Sequence, residues 1–342
     1  MSKQKIQFGV RLPVSGPLAS IPAITDIARK SEELHYDSIW VHDHIAWNRE
    51  SHEHHISSGS SEALSQKQEP DFYESLTTLS YLAALTREIK LGIACAVIPC
   101  RNPVYLAKQA ANLDNLSKGR LILGAGLGSK ATKLAREFEL FDSPVKTRRS
   151  RFVEYLNAIQ TLWREDRASF SGKYVSFSDV EMYPKPVQKP RVPMWIGGWS
   201  KGSADRAAEV GDGWIPGWLT PEEMSVLVPQ LKEQLANHGR DQTNFTVAVE
   251  KYLCVFEDRD IAMRKAMATI GQSRETYERA LENLEFAKTA HVLGNVSDVQ
   301  SKIAKFVEAG VTHFEFKFIY SFIKELQEMM ELFADKIMQQ YR

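Results

Sequence analysis

The run DSIWVHDHIAW sets two imidazoles, His42 and His44, on either side of the Asp43 carboxylate. On an extended strand residues two apart share a face, so the two rings can point the same way. A His-x-His pair at a strand end can open a metal site, but only if later strand ends add His or carboxylate ligands. No other histidine falls at such an end, and His52, His54 and His55 lie together in a polar stretch that reads as a solvated loop. No metal is expected. His44 alone, with Asp43 beside it and Trp47 three residues on, suits acid–base work, because imidazole titrates near neutral pH. A histidine hydrogen-bonded to a loop carbonyl is the competing reading.

Three glycine-rich stretches form a second kind of candidate. Gly197-Gly198-Trp199-Ser200 precedes a helical segment, where glycine lets a ligand approach the backbone and the first amides of the helix attract phosphate. Gly124-x-Gly126-x-Gly128 and Gly211-Asp212-Gly213-Trp214 are two more such boundaries. Together they favour a flat ligand lying across one end of a sheet or barrel, although glycine turns alone would give the same letters. Trp47, Trp199, Trp214 and Trp218 either line an aromatic mouth or pack its rim.

These residues need elements to hold them. Short apolar runs alternate with segments of helical period, the pattern of βα units on a parallel sheet. The strands read as Ile6–Val10, Ser38–Val41, Lys90–Ala94, Arg120–Gly124, Val192–Gly197, Gly213–Pro216, Phe245–Val255 and His313–Phe318. Helices fall at Ile21–Leu34, Phe72–Thr86, Pro103–Leu116, Arg148–Trp163, Lys201–Val210, Pro221–Ala236, Val296–Ala309 and Ile323–Gln340. Eight alternations predict an α/β fold, a (β/α)8 TIM barrel forming one domain over residues 1–342, with insertions at the C-terminal face. The insertions are about 47–69, 167–188 (a hairpin with a proline-rich exit) and 271–291 (helical), of which the first and third fall on that face. An open doubly wound sheet fits less well, because no GxGxxG run follows the first strand.

Composition agrees with a folded protein that has a large core. The 342 residues carry 43 Lys+Arg against 43 Asp+Glu, and 43% are hydrophobic. That balance excludes disorder and gives no basic field for nucleic acid. Cys95, Cys100 and Cys254 are an odd number without a CxxC pair, and read as small buried hydrophobes rather than a disulfide framework or zinc site. The first residues hold no apolar stretch long enough for a signal peptide or membrane span, so a cytoplasmic protein is expected.

Set in order, several stretches resemble the bacterial luciferase-like family of flavin and deazaflavin oxidoreductases. They begin with Trp40-Val41-x-Asp43-His44, then Leu91-Gly92-Ile93-Ala94-Cys95 running to Arg101-Asn102-Pro103. Ser117-Lys118-Gly119-Arg120, Gly124-Ala125-Gly126, Glu137-Phe138-Glu139 and the segment from Arg148 to Trp163 follow. Pro193-Met194-Trp195-Ile196-Gly197-Gly198 and Ala207-Ala208-x-x-Gly211-Asp212-Gly213-Trp214 complete a set that covers roughly residues 5–220.

The resemblance implies a TIM barrel, usually a homodimer, that binds FMN or the deazaflavin coenzyme F-420 at its C-terminal face. It implies a non-proline cis peptide at Ala94–Cys95 against the cofactor ring, and cofactor contacts from Gly126, Gly197, Gly198, Ser200, Gly213 and Trp214. His44 aligns with the family's active-site histidine, and Asp43-His44-x-x-Trp47 is similar to deazaflavin-dependent sugar-phosphate dehydrogenases. Those enzymes carry an acidic residue after the glycine run where this chain has Ser129, which leaves the proton donor unassigned. The pattern favours F-420 and hydride transfer with a small-molecule substrate. FMN would instead imply a monooxygenase using oxygen and a partner flavin reductase, and a flavin-binding protein without catalysis is a further alternative.

Overall fold

The computed structural model describes residues 5–46, 71–128, 137–272 and 284–342. Eight parallel strands close a barrel: β1 (Gln7–Arg11), β2 (Ser38–Val41), β3 (Lys90–Val97), β4 (Leu121–Gly126), β5 (Met194–Gly197), β6 (Gly213–Ile215), β7 (Thr246–Val255) and β8 (His313–Phe318). Each pairs with the next, and β8 returns to β1 through Gln7↔His313 to Val10↔Phe316. Helices α1 (Ile21–Glu33), α2 (Ser75–Leu85), α3 (Pro103–Leu116), α4 (Arg148–Arg164), α5 (Lys201–Val210), α6 (Pro221–Asn237), α7 (Val296–Glu308) and α8 (Ile323–Lys336) follow their strands. No helix among the described residues is long and apolar enough to cross a membrane.

Alternation along the strands separates two cores. Phe8, Val10, Ile39, Leu123, Phe314 and Phe316 face outward and pack with helical residues such as Ile24, Leu79 and Leu106. Trp40, Ala94, Ile122, Trp195, Ile215 and Ala248 face inward and form a separate cluster filling the lumen. Here two indoles do most of the filling. Trp40 and Trp195 lie 5.2 Å apart, and His313 meets them edge-on at 5.7 and 4.9 Å. Their bulk is matched by absent side chains on neighbouring strands. A Cβ on Gly9 would lie 2.4 Å from Trp40 Nε1, one on Gly92 2.2 Å from the Trp40 ring, and one on Gly213 2.6 Å from the Trp195 ring.

The polar atoms on this floor are satisfied in series. Trp40 Nε1 donates to Ser38 Oγ (2.7 Å), which lies 3.0 Å from His313 Nε2. Burial pushes His313 down to about 4, so its ring is neutral at physiological pH.

Three elements differ from the expectations. The second helix begins at Ser75 rather than Phe72, because Glu74 caps it by accepting from the Thr77 amide at 2.7 Å. Asp71–Phe72 is instead a short strand antiparallel to Ser15–Gly16. Residues 167–188 do form a hairpin, Ala168–Ser171 against Ser176–Val180, but it leads from α4 into β5. It therefore lies at the entry end of the strands, away from the C-terminal face. After β7 the chain adds the helix Arg259–Gln272, the helix Leu284–Ala290 and the strand Val292–Gly294, which extends the sheet beside Leu253–Val255. The insertion 47–69 lies outside the described residues.

Overpacking a filled core costs about 1–3 kcal/mol. Gly92→Ala should therefore destabilise the barrel by that order in urea melts, since its methyl would enter the Trp40 ring. The double variant Gly92→Ala, Trp40→Phe should lose less than the sum of its single changes. Additive losses would mean that the two positions do not share one space.

Candidate active site

The mouth is built where strands end. At β2 the chain leaves the barrel through His42, Asp43 and His44, whose side chains go to different places. His42 Nε2 is 2.8 Å from Ser15 Oγ, and its ring stands edge-on to Phe72 at 4.8 Å. His44 keeps 24% of its side chain exposed and puts Nδ1 2.9 Å from Glu137 Oε2. The other Glu137 oxygen accepts the Ile45 amide at 2.6 Å. A buried carboxylate that takes Nδ1–H fixes the tautomer and leaves Nε2 as the basic nitrogen of the neutral ring. Sequence reasoning noticed Glu137 only as part of a motif. Nothing in its spacing, 93 residues from His44, announces the contact.

Asp43, expected beside His44 in the chemistry, is instead fully inside the wall. Its carboxylate accepts from Arg101 Nη2 (2.5 Å) and Nε (3.1 Å), Ser75 Oγ (2.8 Å) and the Val97 amide (3.0 Å). Burial would raise its pKa, but the Arg101 charge and these hydrogen bonds outweigh that and hold it below the ordinary aspartate value. It thus ties the end of β2 to the end of β3, to the first residue of α2 and to Arg101, two residues before α3. Trp47 and Ser129 lie outside the described residues.

At β3 the register shifts between Ile93 and Ala96, and the Ala94–Cys95 peptide is cis, as the resemblance implies. Cys95 turns into the barrel, where three glycines leave it space. A Cβ on Gly197 would lie 2.7 Å from Cys95 Sγ, one on Gly126 3.1 Å from its Cβ, and one on Gly124 1.9 Å from the Ile93 carbonyl. Burial, then the nearby Glu250 charge, push the Cys95 thiol up, so it is not a nucleophile at neutral pH.

Gly198 has φ +123, a conformation that side chains rarely adopt, and it leads into Ser200 at the start of α5. Trp214 is buried and donates from Nε1 to the Gly198 carbonyl (2.9 Å), so it braces this turn from behind. Gly213 does not reach the mouth: it opens β6 at the far end and abuts Trp195 in the lumen. Of the described tryptophans expected there, only Trp199 is exposed, while Trp218 is buried against His291 (4.4 Å).

A basic group at α5 escaped the sequence reading. Arg206 folds back over the first turn, with Nη1 3.7 Å from the site of a Gly202 Cβ. Burial and the charges of Arg149 and Arg148 push its pKa down. Among the described residues none of these three arginines forms an ion pair. No group of three or more His, Cys, Asp or Glu there could hold a metal ion.

Replacing Arg101 by Met would strand the buried Asp43 charge, a change that costs about 3–5 kcal/mol. Asp43 is depressed in the folded state, so its contribution is complete above the ordinary value of 3.8 and is lost as pH falls through its lower folded value. Arg101→Met should therefore destabilise strongly at pH 7, with the gap to wild type narrowing in acid. A pH-independent gap in thermal melts would show that the pair is not the cause.

A sequence profile described as luciferase-like monooxygenase matches residues 5–313. An "F-420-dependent glucose-6-phosphate dehydrogenase" from Kineococcus radiotolerans is 27% identical over 311 residues, 86% of each chain. Among solved structures, an F-420-dependent secondary alcohol dehydrogenase in complex with an F-420–acetone adduct aligns at TM-score 0.80 and 19% identity over 99% of both chains. The oxygenating constituent of 3,6-diketocamphane monooxygenase from Pseudomonas putida, with FMN, aligns at TM-score 0.75 and 15% identity, covering 98% of this chain and 99% of the other. The barrel and the profile agree, and the chain belongs to the luciferase-like monooxygenase family of oxidoreductases.

Proposed function

We propose that this protein binds coenzyme F-420 at the C-terminal mouth and exchanges a hydride with a small organic substrate, His44 moving the accompanying proton. The observation that carries the reading is the His44–Glu137 pair, an oriented base at the end of β2 on the same face as the Cys95 bulge and the start of α5. The residues present fit a flat, anionic cofactor. Small side chains at Ala94 and the glycines around Cys95 leave a level surface. The first turn of α5 and Arg206, which makes no ion pair among the described residues, suit a phosphate or carboxylate tail.

When bound, the deazaflavin supplies a ring carbon that accepts or donates hydride. The protein supplies the rest. Glu137 keeps the His44 ring in one tautomer, and Nε2 takes or returns the proton at a substrate hydroxyl or carbonyl oxygen. Burial of Asp43, Arg101 and Glu137 keeps the histidine's supports rigid while the ring itself borders solvent.

The test is titration of FMN and F-420 separately against the protein by fluorescence quenching. F-420 should bind at micromolar or tighter concentrations and FMN more weakly. Preference for FMN would favour a monooxygenase fed by a reductase, and binding of neither would end the cofactor reading. Loss of one charge-assisted contact costs roughly 1.5–3 kcal/mol, so Arg206→Met should weaken F-420 about ten- to a hundredfold without altering the fold.

A positioned acid–base group contributes about 10²–10⁴-fold. His44→Asn should therefore lower turnover by that order, and Glu137→Gln by less, with cofactor affinity unchanged in both. Wild-type turnover in His44→Asn would remove the histidine from the mechanism.

A further inference from the structure

Between the tryptophan floor and the mouth, the lumen holds a layer of charge. Residues two apart on a strand share a face, so Arg11 follows Gly9, Glu250 follows Ala248 and Glu315 follows His313, each one step above the floor. Arg11 grips Glu315 with two parallel bonds, Nε to Oε1 at 2.7 Å and Nη2 to Oε2 at 2.8 Å. The same Nη2 lies 3.2 Å from Glu250 Oε2. Two carboxylates thus share one guanidinium nitrogen. Glu315 has no exposed surface on its side chain, whereas Glu250 keeps a third of its own, 33%, open toward the mouth.

We propose that Glu250 and Glu315 hold one proton between them and that Glu250 exchanges it with the mouth of the barrel, a second acid–base site separate from His44 and Glu137. One positive charge balances one carboxylate. A second ionised carboxylate beside it would leave a net negative charge sealed in low dielectric, and a shared proton removes that cost. The proton belongs to the pair rather than to either residue. It can leave only through Glu250, since Glu315 has no contact with solvent. On leaving it passes to water or a ligand oxygen in the mouth, both carboxylates are then ionised, and Arg11 keeps its charge throughout.

Among the described residues the surrounding groups do not supply a second counter-charge in contact. Lys317, the next inward residue on β8, turns its ammonium to the Tyr252 hydroxyl at 3.1 Å and over the Tyr252 ring at 4.8 Å. From β3, Cys95 faces the cluster as a neutral thiol, and from β2 Asp43 is neutralised by Arg101. Lys251 faces out of the barrel, toward the carbonyls of Gly217 and Leu219. Burial, opposed by Arg11 and more weakly by the Lys317 charge and reinforced by Glu250, raises Glu315 to about 7, in keeping with a proton exchanged near neutrality. Arg11 itself is pushed further up by the two carboxylates, against its burial.

Infrared titration of the full chain without cofactor tests this, so its failure is separate from failure of the cofactor reading. A carboxylic-acid C=O band should be present at pH 6 and disappear through a transition near pH 7. The band should shift promptly on transfer to deuterium oxide, because the proton reaches solvent. Glu315→Gln and Glu250→Gln should each abolish the transition, since a single carboxylate on Arg11 stays ionised down to the ordinary acid range. Near-UV circular dichroism from Trp40 and Trp195 checks the fold, and Glu250→Gln, at a partly exposed position, carries the test if Glu315→Gln does not fold. Absence of an acid band at pH 6, its persistence in the folded Gln variants, or slow deuterium exchange would each overturn the proposal.

Discussion

A closed barrel of eight strands encloses a volume that must be solid at one end and open at the other. Here the solid end depends on one complementary packing: two indoles from β2 and β5 against three glycines from β1, β3 and β6. Together the tryptophans occupy space that three neighbouring strands decline to fill, two around Trp40 and one beside Trp195, so the floor is close-packed without any strand being forced outward. The hydrogen-bonded series from Trp40 through Ser38 to neutral His313 satisfies the polar atoms that such large rings bring inside. With the floor set, every residue one step higher on an inward face is lifted toward the mouth.

The loops above that floor are fixed by charge rather than by apolar packing. Asp43 joins three chain segments through one carboxylate, with Arg101, Ser75 and the Val97 amide as partners. It occupies the position next to His44 for that reason: anchoring Asp43 in the wall holds His44 at the rim. Glu137 does the same from the other side, reaching both the imidazole and the Ile45 amide. Neither carboxylate needs to touch a ligand to decide where His44 points.

Much of the architecture was legible because strand and helix periods differ. All eight strands were located, with β3 and β4 running further than expected because the register shift at Ile93/Ala96 continues the pairing past the bulge. Glycine was harder to read. Gly213 and Gly197 sit in similar-looking strand boundaries, yet one makes room for Trp195 on the floor and the other for Cys95 near the mouth. The letters carry no depth along the barrel axis, and only strand register supplies it. Glu137 and Arg206 were missed for a related reason. Their roles come from closures between distant segments, which no local spacing records.

The same alternation assigns adjacent residues on β7 to opposite electrostatic tasks. Glu250 faces the lumen, shares Arg11 with Glu315 and borders the open mouth. Lys251 faces the helical layer, fully buried, and its ammonium donates to the carbonyls of Gly217 and Leu219 at 2.5 Å while lying 4.9 Å over the Phe306 ring. Burial lowers Lys251 to about 7, against the opposing pull of Glu250 and Glu223. A shift of one residue would turn both charges to the opposite face. In one direction it would put a cation beside Arg11 in the lumen, and in the other a carboxylate against two carbonyl oxygens outside. Both placements are strongly unfavourable, so the pair Glu250-Lys251 fixes the register of β7 as firmly as its apolar neighbours do. Structure and chemistry meet in that constraint: the register that buries Lys251 under the β6 loop is the one that presents Glu250 to whatever enters the mouth.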